Sequence, residues 1–194
     1  LSKFGRHFKD KVRFTLYNQN ENFAAYEQSH IEKLRQLGHG LLYKHGIQID
    51  QYNYVIKLGY SGFETQNHIP ILDQCFLLPE NIKDKLLLVI PMTYGATTEY
   101  IEVVESYAKK LGLTACVLKE YLAKEEALSL SFICDIMLNL RDNDGFNNAM
   151  IETLMAGKIL VSGGWLPYSE LRKNDVYFHE IYELEKLPKL LISI

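Results

Sequence analysis

From residue 52 onward, short apolar runs alternate with amphipathic stretches. Tyr54-Val55-Ile56-Lys57-Leu58 is mostly apolar and ends at Gly59, and Leu86-Leu87-Leu88-Val89-Ile90 is wholly apolar and closes at Pro91. Further runs stand at 113–118, 136–140 and 159–161. Runs of this length and continuity fit parallel strands covered on both faces. The segments between them predict helices. One covers 68–77, where Asn67 is a candidate cap and Pro70 is tolerated in the first turn. A second covers 98–111, with Tyr100, Ile101, Val104, Ala108 and Leu111 at helical spacing and Gly112 behind Lys109 and Lys110 as its stop. A third covers 125–131 and extends toward Cys134, and a fourth covers 148–156 and stops at Gly157. A short helix over 167–171 and an apolar segment at 176–178 complete the pattern. Upstream, 12–17 reads as a strand, 23–37 as a helix ended by Gly38 and Gly40, and 41–50 is ambiguous.

Alternating strands and helices imply an α/β fold, a parallel sheet with helices on both faces. The regular pattern defines a domain over 52–194. Residues 1–51 read as an N-terminal appendage or the remnant of a preceding domain. In sheets of this kind ligands sit beyond the carboxyl ends of the strands. The polar or glycine-rich loops 59–62, 93–97, 141–147 and 162–164 all follow predicted strands, so they line one sheet edge.

Those loops hold the candidate chemistry. Asp144 lies in a loop and Glu152 lies eight positions later, inside the next predicted helix. A carboxylate on a helix facing a sheet needs exposure or hydrogen bonds. A vicinal diol such as a ribose would supply them; an exposed helix residue or a partner for Asn148 is the alternative. The helix start at Asn147, Asn148 and Ala149 offers free N–H groups to an anion. The turn Gly59-Tyr60-Ser61-Gly62 does the same for phosphate if its amides converge, and otherwise is a plain turn. Its spacing is neither GxGxxG nor GxxxxGK, so the dinucleotide and P-loop motifs are absent. His68 follows this turn. Ser162-Gly163-Gly164 permits close backbone approach, and Trp165 either walls a ligand or packs on Pro167. Ser61 lacks the GxSxG elbow, and no histidine pair has zinc-ligand spacing.

Bulk composition narrows the partners. The chain has 194 residues, 47% of them hydrophobic and 23% charged, which suits a globular domain able to bury a core without staples. Its net charge of -3, with 21 basic and 24 acidic residues, gives no electrostatic support for nucleic-acid binding. The best basic cluster, 3–13, reads as a solvated domain end. The three cysteines, Cys75, Cys116 and Cys134, are widely spaced in apolar surroundings and read as buried free thiols of a reducing, cytoplasmic compartment. No run is long enough to span a bilayer, residues 1–10 carry no signal-peptide core, and both chain ends read as cut.

Asp144-Gly145-Phe146-Asn147-Asn148-Ala149-Met150-Ile151-Glu152, followed by Thr153-Leu154-Met155-Ala156-Gly157-Lys158-Ile159-Leu160-Val161-Ser162, resembles the E-x7-E motif of group 1 glycosyltransferases with the GT-B architecture. Weaker echoes follow in order: the glycine turn 59–62, the stretch 122–135, and Gly163-Gly164-Trp165-Leu166-Pro167-Tyr168-Ser169-Glu170. The resemblance covers about 54–178 and implies the C-terminal, Rossmann-like donor-binding domain of such an enzyme. It implies transfer of a hexose from a nucleoside-diphosphate sugar to an acceptor hydroxyl, with retention and without a bound metal or other cofactor. Glu152 would bind the donor ribose and Asp144 the sugar hydroxyls. Asn147, Asn148 and Ala149 would hold sugar or phosphate, and the turn Gly59, Tyr60, Ser61, Gly62 with His68 would face the diphosphate. The implied partners are a saccharide or lipid-linked acceptor and a missing N-terminal domain, with peripheral membrane association through that missing part. The sequence departs from the family in three places, one of them Lys158-Ile159 where the family has a variable residue and a Pro. Asp144 replaces the first Glu, and 60–68 contains no Lys or Arg, where the family has a basic pair. His68 or Lys57 are the available substitutes. A nucleotide-sugar epimerase domain and a non-enzymatic α/β interaction domain are the alternatives; a receiver module would need an acidic cluster at the first strand, and 54–59 has no Asp.

Overall fold

The structure, a computed structural model, describes residues 21–145 and 147–194, with side chains from residue 28 onward. The strand predicted at 12–17 and the basic cluster at 3–13 lie outside the described residues.

Six parallel strands form one sheet in the order β3-β2-β1-β4-β5-β6: β1 Tyr54–Leu58, β2 Leu86–Pro91, β3 Ala115–Leu118, β4 Ile136–Asn139, β5 Ile159–Gly163 and β6 His179–Ile181. The helices are α1 Glu21–Lys44, α2 His68–Phe76, α3 Glu80–Lys83, α4 Thr98–Lys110, α5 Lys124–Ile133, α6 Asn148–Met155, α7 Ser169–Lys173 and α8 Leu187–Ser193. The chain winds outward from β1 through β2 to β3, returns to the other side of β1 with β4, and winds outward again. The strand order therefore reverses between β1 and β4, which pair in register from Ile56 opposite Ile136 to Leu58 opposite Leu138.

Side-chain alternation assigns the two faces. Ile56, Leu58, Leu88, Ile90, Ile136 and Leu138 pack with Ile71 and Leu72 of α2, Val104 and Ala108 of α4, and Leu187 of α8. On the opposite face, Val55, Leu87, Val89, Cys116 and Leu118 pack with Leu41 and Leu42 of α1 and Leu130 and Ile133 of α5. A separate cluster on that second face joins Met137 and Leu160 to Met150, Tyr168, Leu171 and Phe178. The three cysteines are free and buried; burial pushes Cys75 and Cys134 to about 12 and Cys116 to about 11. Among the described residues no helix is long and apolar enough to cross a membrane.

Several predicted boundaries shift for identifiable reasons. Gly38 and Gly40 do not end α1, which runs on to Lys44. The stop is Gly46, in the left-handed region at φ 77°, whose N–H reaches the Tyr43 carbonyl while that of Ile47 reaches Leu42. This is the Schellman closure that glycine makes easy. Gly38 has a packing role instead. A Cβ there would stand 2.9 Å from an Ile133 methyl and 3.1 Å from the Ser129 carbonyl oxygen, so its absence lets α1 approach α5. The buried stripe of α1 is Leu34, Gly38, Leu41 and Leu42, and Leu37 is exposed. Asn67 precedes α2 at φ 60° but does not cap it with its side chain, which donates to the Leu140 carbonyl and to Asp142. The polar stretch after α2 forms the short helix α3. The last predicted short helix begins at Ser169 rather than Pro167, and a sixth strand beyond the five predicted, β6, follows the apolar segment at 176–178, whose Phe178 packs in the core.

Gly38 and Gly40 make a paired test. Gly40 has no heavy atom within 4 Å of an added Cβ, so Gly40→Ala should raise stability by about 0.5–1 kcal/mol through helix propensity alone. Gly38→Val should lower it by about 1–3 kcal/mol by forcing α1 off α5. Urea unfolding of both variants checks this; a neutral Gly38→Val would contradict the close approach.

Candidate functional site

Above the carboxyl ends of β1 to β4 lies a cavity of about 460 Å³. Its walls are Lys57 and Tyr60 from β1 and its turn, Pro91 at the end of β2 with Thr93 and Tyr94 after it, Tyr121 and Leu122 after β3, Lys124, Ala127 and Leu130 of α5, and Asn147, Asn148, Ala149 and Glu152 at the start of α6. This is the crevice that a reversal of strand order creates, where neighbouring loops leave in opposite directions.

Local rules explain each wall. Helix α6 starts at Asn148 because Asn147 is its N-cap, with extended backbone and a side-chain oxygen that accepts from the Met150 N–H at 2.8 Å. The same side chain donates to Asp144 at 2.6 Å, tying the cap to the preceding loop. Glu152, one turn into α6, is half-buried and faces the cavity. The turn after β1 requires its first glycine: Gly59 sits at φ 62°, and a Cβ would lie 2.4 Å from the Gln66 side-chain oxygen. The N–H groups of Gly59 and Gly62 are already used, on the carbonyls of Leu138 and Tyr94. Gln66 also donates to the buried Ser61 hydroxyl at 2.8 Å.

Of the residues singled out from the sequence, Tyr60, Asn147, Asn148, Ala149 and Glu152 share the cavity wall, whereas Gly59, Ser61, Gly62, His68 and Asp144 stand behind it. Asp144 is the hub of a buried polar network. Its carboxylate accepts from the Tyr60 hydroxyl at 3.0 Å, Asn139 at 3.2 Å, Asn147 at 2.6 Å and the Tyr168 hydroxyl at 2.6 Å. Arg141 lies 3.5 Å away, donates to the Tyr60 hydroxyl and to Thr65, and covers the Tyr60 ring. Burial raises the Tyr60 pKa, with the Asp144 charge adding to it; burial and the Asp144 hydrogen bond raise that of Tyr168. Both phenols are therefore neutral donors to Asp144. Trp165 packs over Gly163, and its indole N–H holds the Arg141 carbonyl at 2.8 Å, fixing the network from outside.

One feature was not evident from spacing: Arg141 places a guanidinium against the first glycine turn although residues 60–68 hold no cation. Lys57, named with His68 as an available substitute, lines the cavity from within β1. His68 is fully buried, with Nδ1 3.3 Å from the Tyr100 hydroxyl. Burial lowers its pKa to about 4, an effect the Ser61 backbone partly offsets. It is thus neutral near pH 7 and is not a substitute cation for a phosphate.

Among solved structures the chain is similar to HepE of Anabaena in complex with UDP and glucose, with a TM-score of 0.63 and 17% identity over 85% of this chain and 42% of that one. It is similar to WaaG, a glycosyltransferase involved in lipopolysaccharide biosynthesis, with a TM-score of 0.63 and 18% identity over 82% of this chain and 41% of that one. A glycosyltransferase from Rickettsia africae gives 0.64 and 14% over 84% and 41%. No family model matches the chain, and no curated protein matches it in sequence. The fold is therefore that of one Rossmann-like half of a GT-B glycosyltransferase, and the chain spans less than half the length of these structures.

The buried His68 gives a pH signature. Its folded-state pKa lies below the unfolded value of 6.5, so its contribution is complete above that value and is lost as pH falls toward 4. Between pH 7 and 4 the wild type should lose roughly 2–3 kcal/mol more stability than His68→Gln. Denaturant titrations across that range check it, and parallel curves would contradict it.

Proposed function

We propose that this chain is the donor-binding half of a GT-B glycosyltransferase. In this reading it transfers a hexose from a nucleoside-diphosphate sugar to an acceptor hydroxyl with retention, in a site completed by an N-terminal domain. The observation that carries the reading is the placement of Glu152. Its carboxylate and the Tyr60 turn open on one cavity at the strand-order reversal, with the start of α6 between them. A half-buried carboxylate is an acceptor for the two hydroxyls of a ribose, and the N–H groups at the start of α6 favour an anionic neighbour. The likeness to glycosyltransferases with UDP or UDP-glucose bound in HepE supports the same choice of ligand.

Asp144 then acts by holding Tyr60, Asn147 and Tyr168 in place, with its reach toward the donor sugar passing through the Asn147 side chain. Gly59, Ser61, Gly62 and His68 shape the turn from behind, and Tyr60 is the residue of that turn that meets the diphosphate side of the cavity. Catalysis rests on orientation and on stabilising charge at the leaving phosphate when the second domain closes. Cytoplasmic location, a saccharide or lipid-linked acceptor, and membrane contact through the other domain belong to the same proposal.

Isothermal titration of UDP, GDP and their sugars tests the site. One nucleotide should bind measurably, and Glu152→Ala should weaken it by about 10- to 100-fold with a melting temperature close to wild type. Equal affinities would remove Glu152 from the site. Chelation with EDTA should leave the affinity unchanged, because no metal is assigned a role; a chelator-sensitive affinity would contradict that assignment.

A further inference from the structure

Lys57 is out of place by any packing argument. Across the second face of the sheet, strand register aligns Cys116, Val89, Lys57, Met137 and Leu160 in one row. Every member but Lys57 is apolar, and Lys57 is itself only 3% exposed. A leucine or methionine would fill the row without removing a charge from water, which is costly when the partners are few. The Lys57 ammonium donates to the Ser131 hydroxyl of α5 at 2.9 Å. It has three hydrogens to place. The row is interrupted at the point where the packing on this face divides. The cluster under α1 and α5 lies on one side and the cluster under α6 and α7 on the other, and the cavity opens between them onto Lys57.

Glu152 lines the same cavity from α6. Burial holds the Lys57 pKa below its ordinary value, and the charges of Cys134 and Glu152 draw it part of the way back. The floor of the cavity thus carries a group that only donates beside a group that only accepts as a carboxylate. A vicinal diol is the complement of that pair, since each hydroxyl donates one hydrogen and accepts on its oxygen.

We propose that Lys57 is a ligand-reading residue of this cavity: it donates to a hydroxyl oxygen of the ribose diol whose hydrogens Glu152 accepts, so the site selects ribonucleotides over 2′-deoxyribonucleotides. This rests on the donor-site reading and adds to it a second ribose contact, from the sheet rather than from α6. A 2′-deoxy ligand leaves buried polar groups of the pair unmatched, the situation in which hydrogen-bonding sites discriminate most strongly.

The test is calorimetry on the full chain with whichever of UDP and GDP binds, against its 2′-deoxy counterpart. Wild type should prefer the ribonucleotide by about 10- to 100-fold. Lys57→Met, with wild-type circular dichroism, should bind the ribonucleotide more weakly and show a preference of less than about 3-fold. If Lys57→Met does not fold, the lysine ¹³Cε resonances of the wild type decide. The buried one should shift with the ribonucleotide and shift less with the 2′-deoxy form. Equal wild-type affinities for the two forms, a folded Lys57→Met with the wild-type preference, or a buried resonance that both ligands move alike would each overturn the role of Lys57 while leaving the donor site standing. Failure of wild type to bind either nucleotide would overturn the donor-site reading and this inference with it.

Discussion

The parallel pairing of β1 with β4 is the constraint on which the site depends. Helical crossovers carry the chain from β1 outward to β3, and β4 then pairs with the other side of β1 rather than with the free outer edge of β3. The loops that leave β1 and β4 must then diverge, and the gap between α5 and α6 is what that divergence leaves uncovered. No residue of the cavity wall is adjacent in sequence to more than a few others. Lys57, Tyr94, Tyr121 and Glu152 come together solely because four strands end at the same sheet edge.

The polar groups around that gap divide by role. Behind the wall, Asp144 is saturated by hydroxyl and amide donors and stands beside a guanidinium, so the loop before α6 is held by charge-assisted hydrogen bonds rather than by apolar packing. Such a network fixes the start of α6, and with it the direction of Glu152, before any ligand arrives. On the wall, Glu152 and Lys57 keep unfilled hydrogen-bonding capacity toward the cavity. Rigid support beneath groups that still seek partners is the arrangement that favours preorganised binding.

Much of the fold was legible because strands and helix stops have local causes. The apolar run at 54–58 is β1 to the residue, and Gly112 and Gly157 close their helices in the left-handed conformation. Gly38 and Gly46 show where local reasoning ends. Both are glycines near a helix, and only the packing of α1 on α5 separates the one that permits contact from the one that ends the helix. In the site, Glu152 could be placed from its offset to Asp144 and the strand–loop–helix context, without reference to distant residues. The difference between Asp144 as hub and Glu152 as wall could not, because it depends on Tyr60 and Tyr168, residues 84 and 24 positions from Asp144. Arg141 was overlooked for the same reason: its counterpart turn lies on a different strand.

The central claim is that the groove between α5 and α6 receives a nucleoside-diphosphate sugar. A crystal structure of the chain grown with the nucleotide that binds would test it most directly. The account predicts density in that groove with the ribose against Glu152 and the phosphates toward Tyr60 and the start of α6. Nucleotide density elsewhere on the molecule, with this groove filled only by solvent, would contradict it.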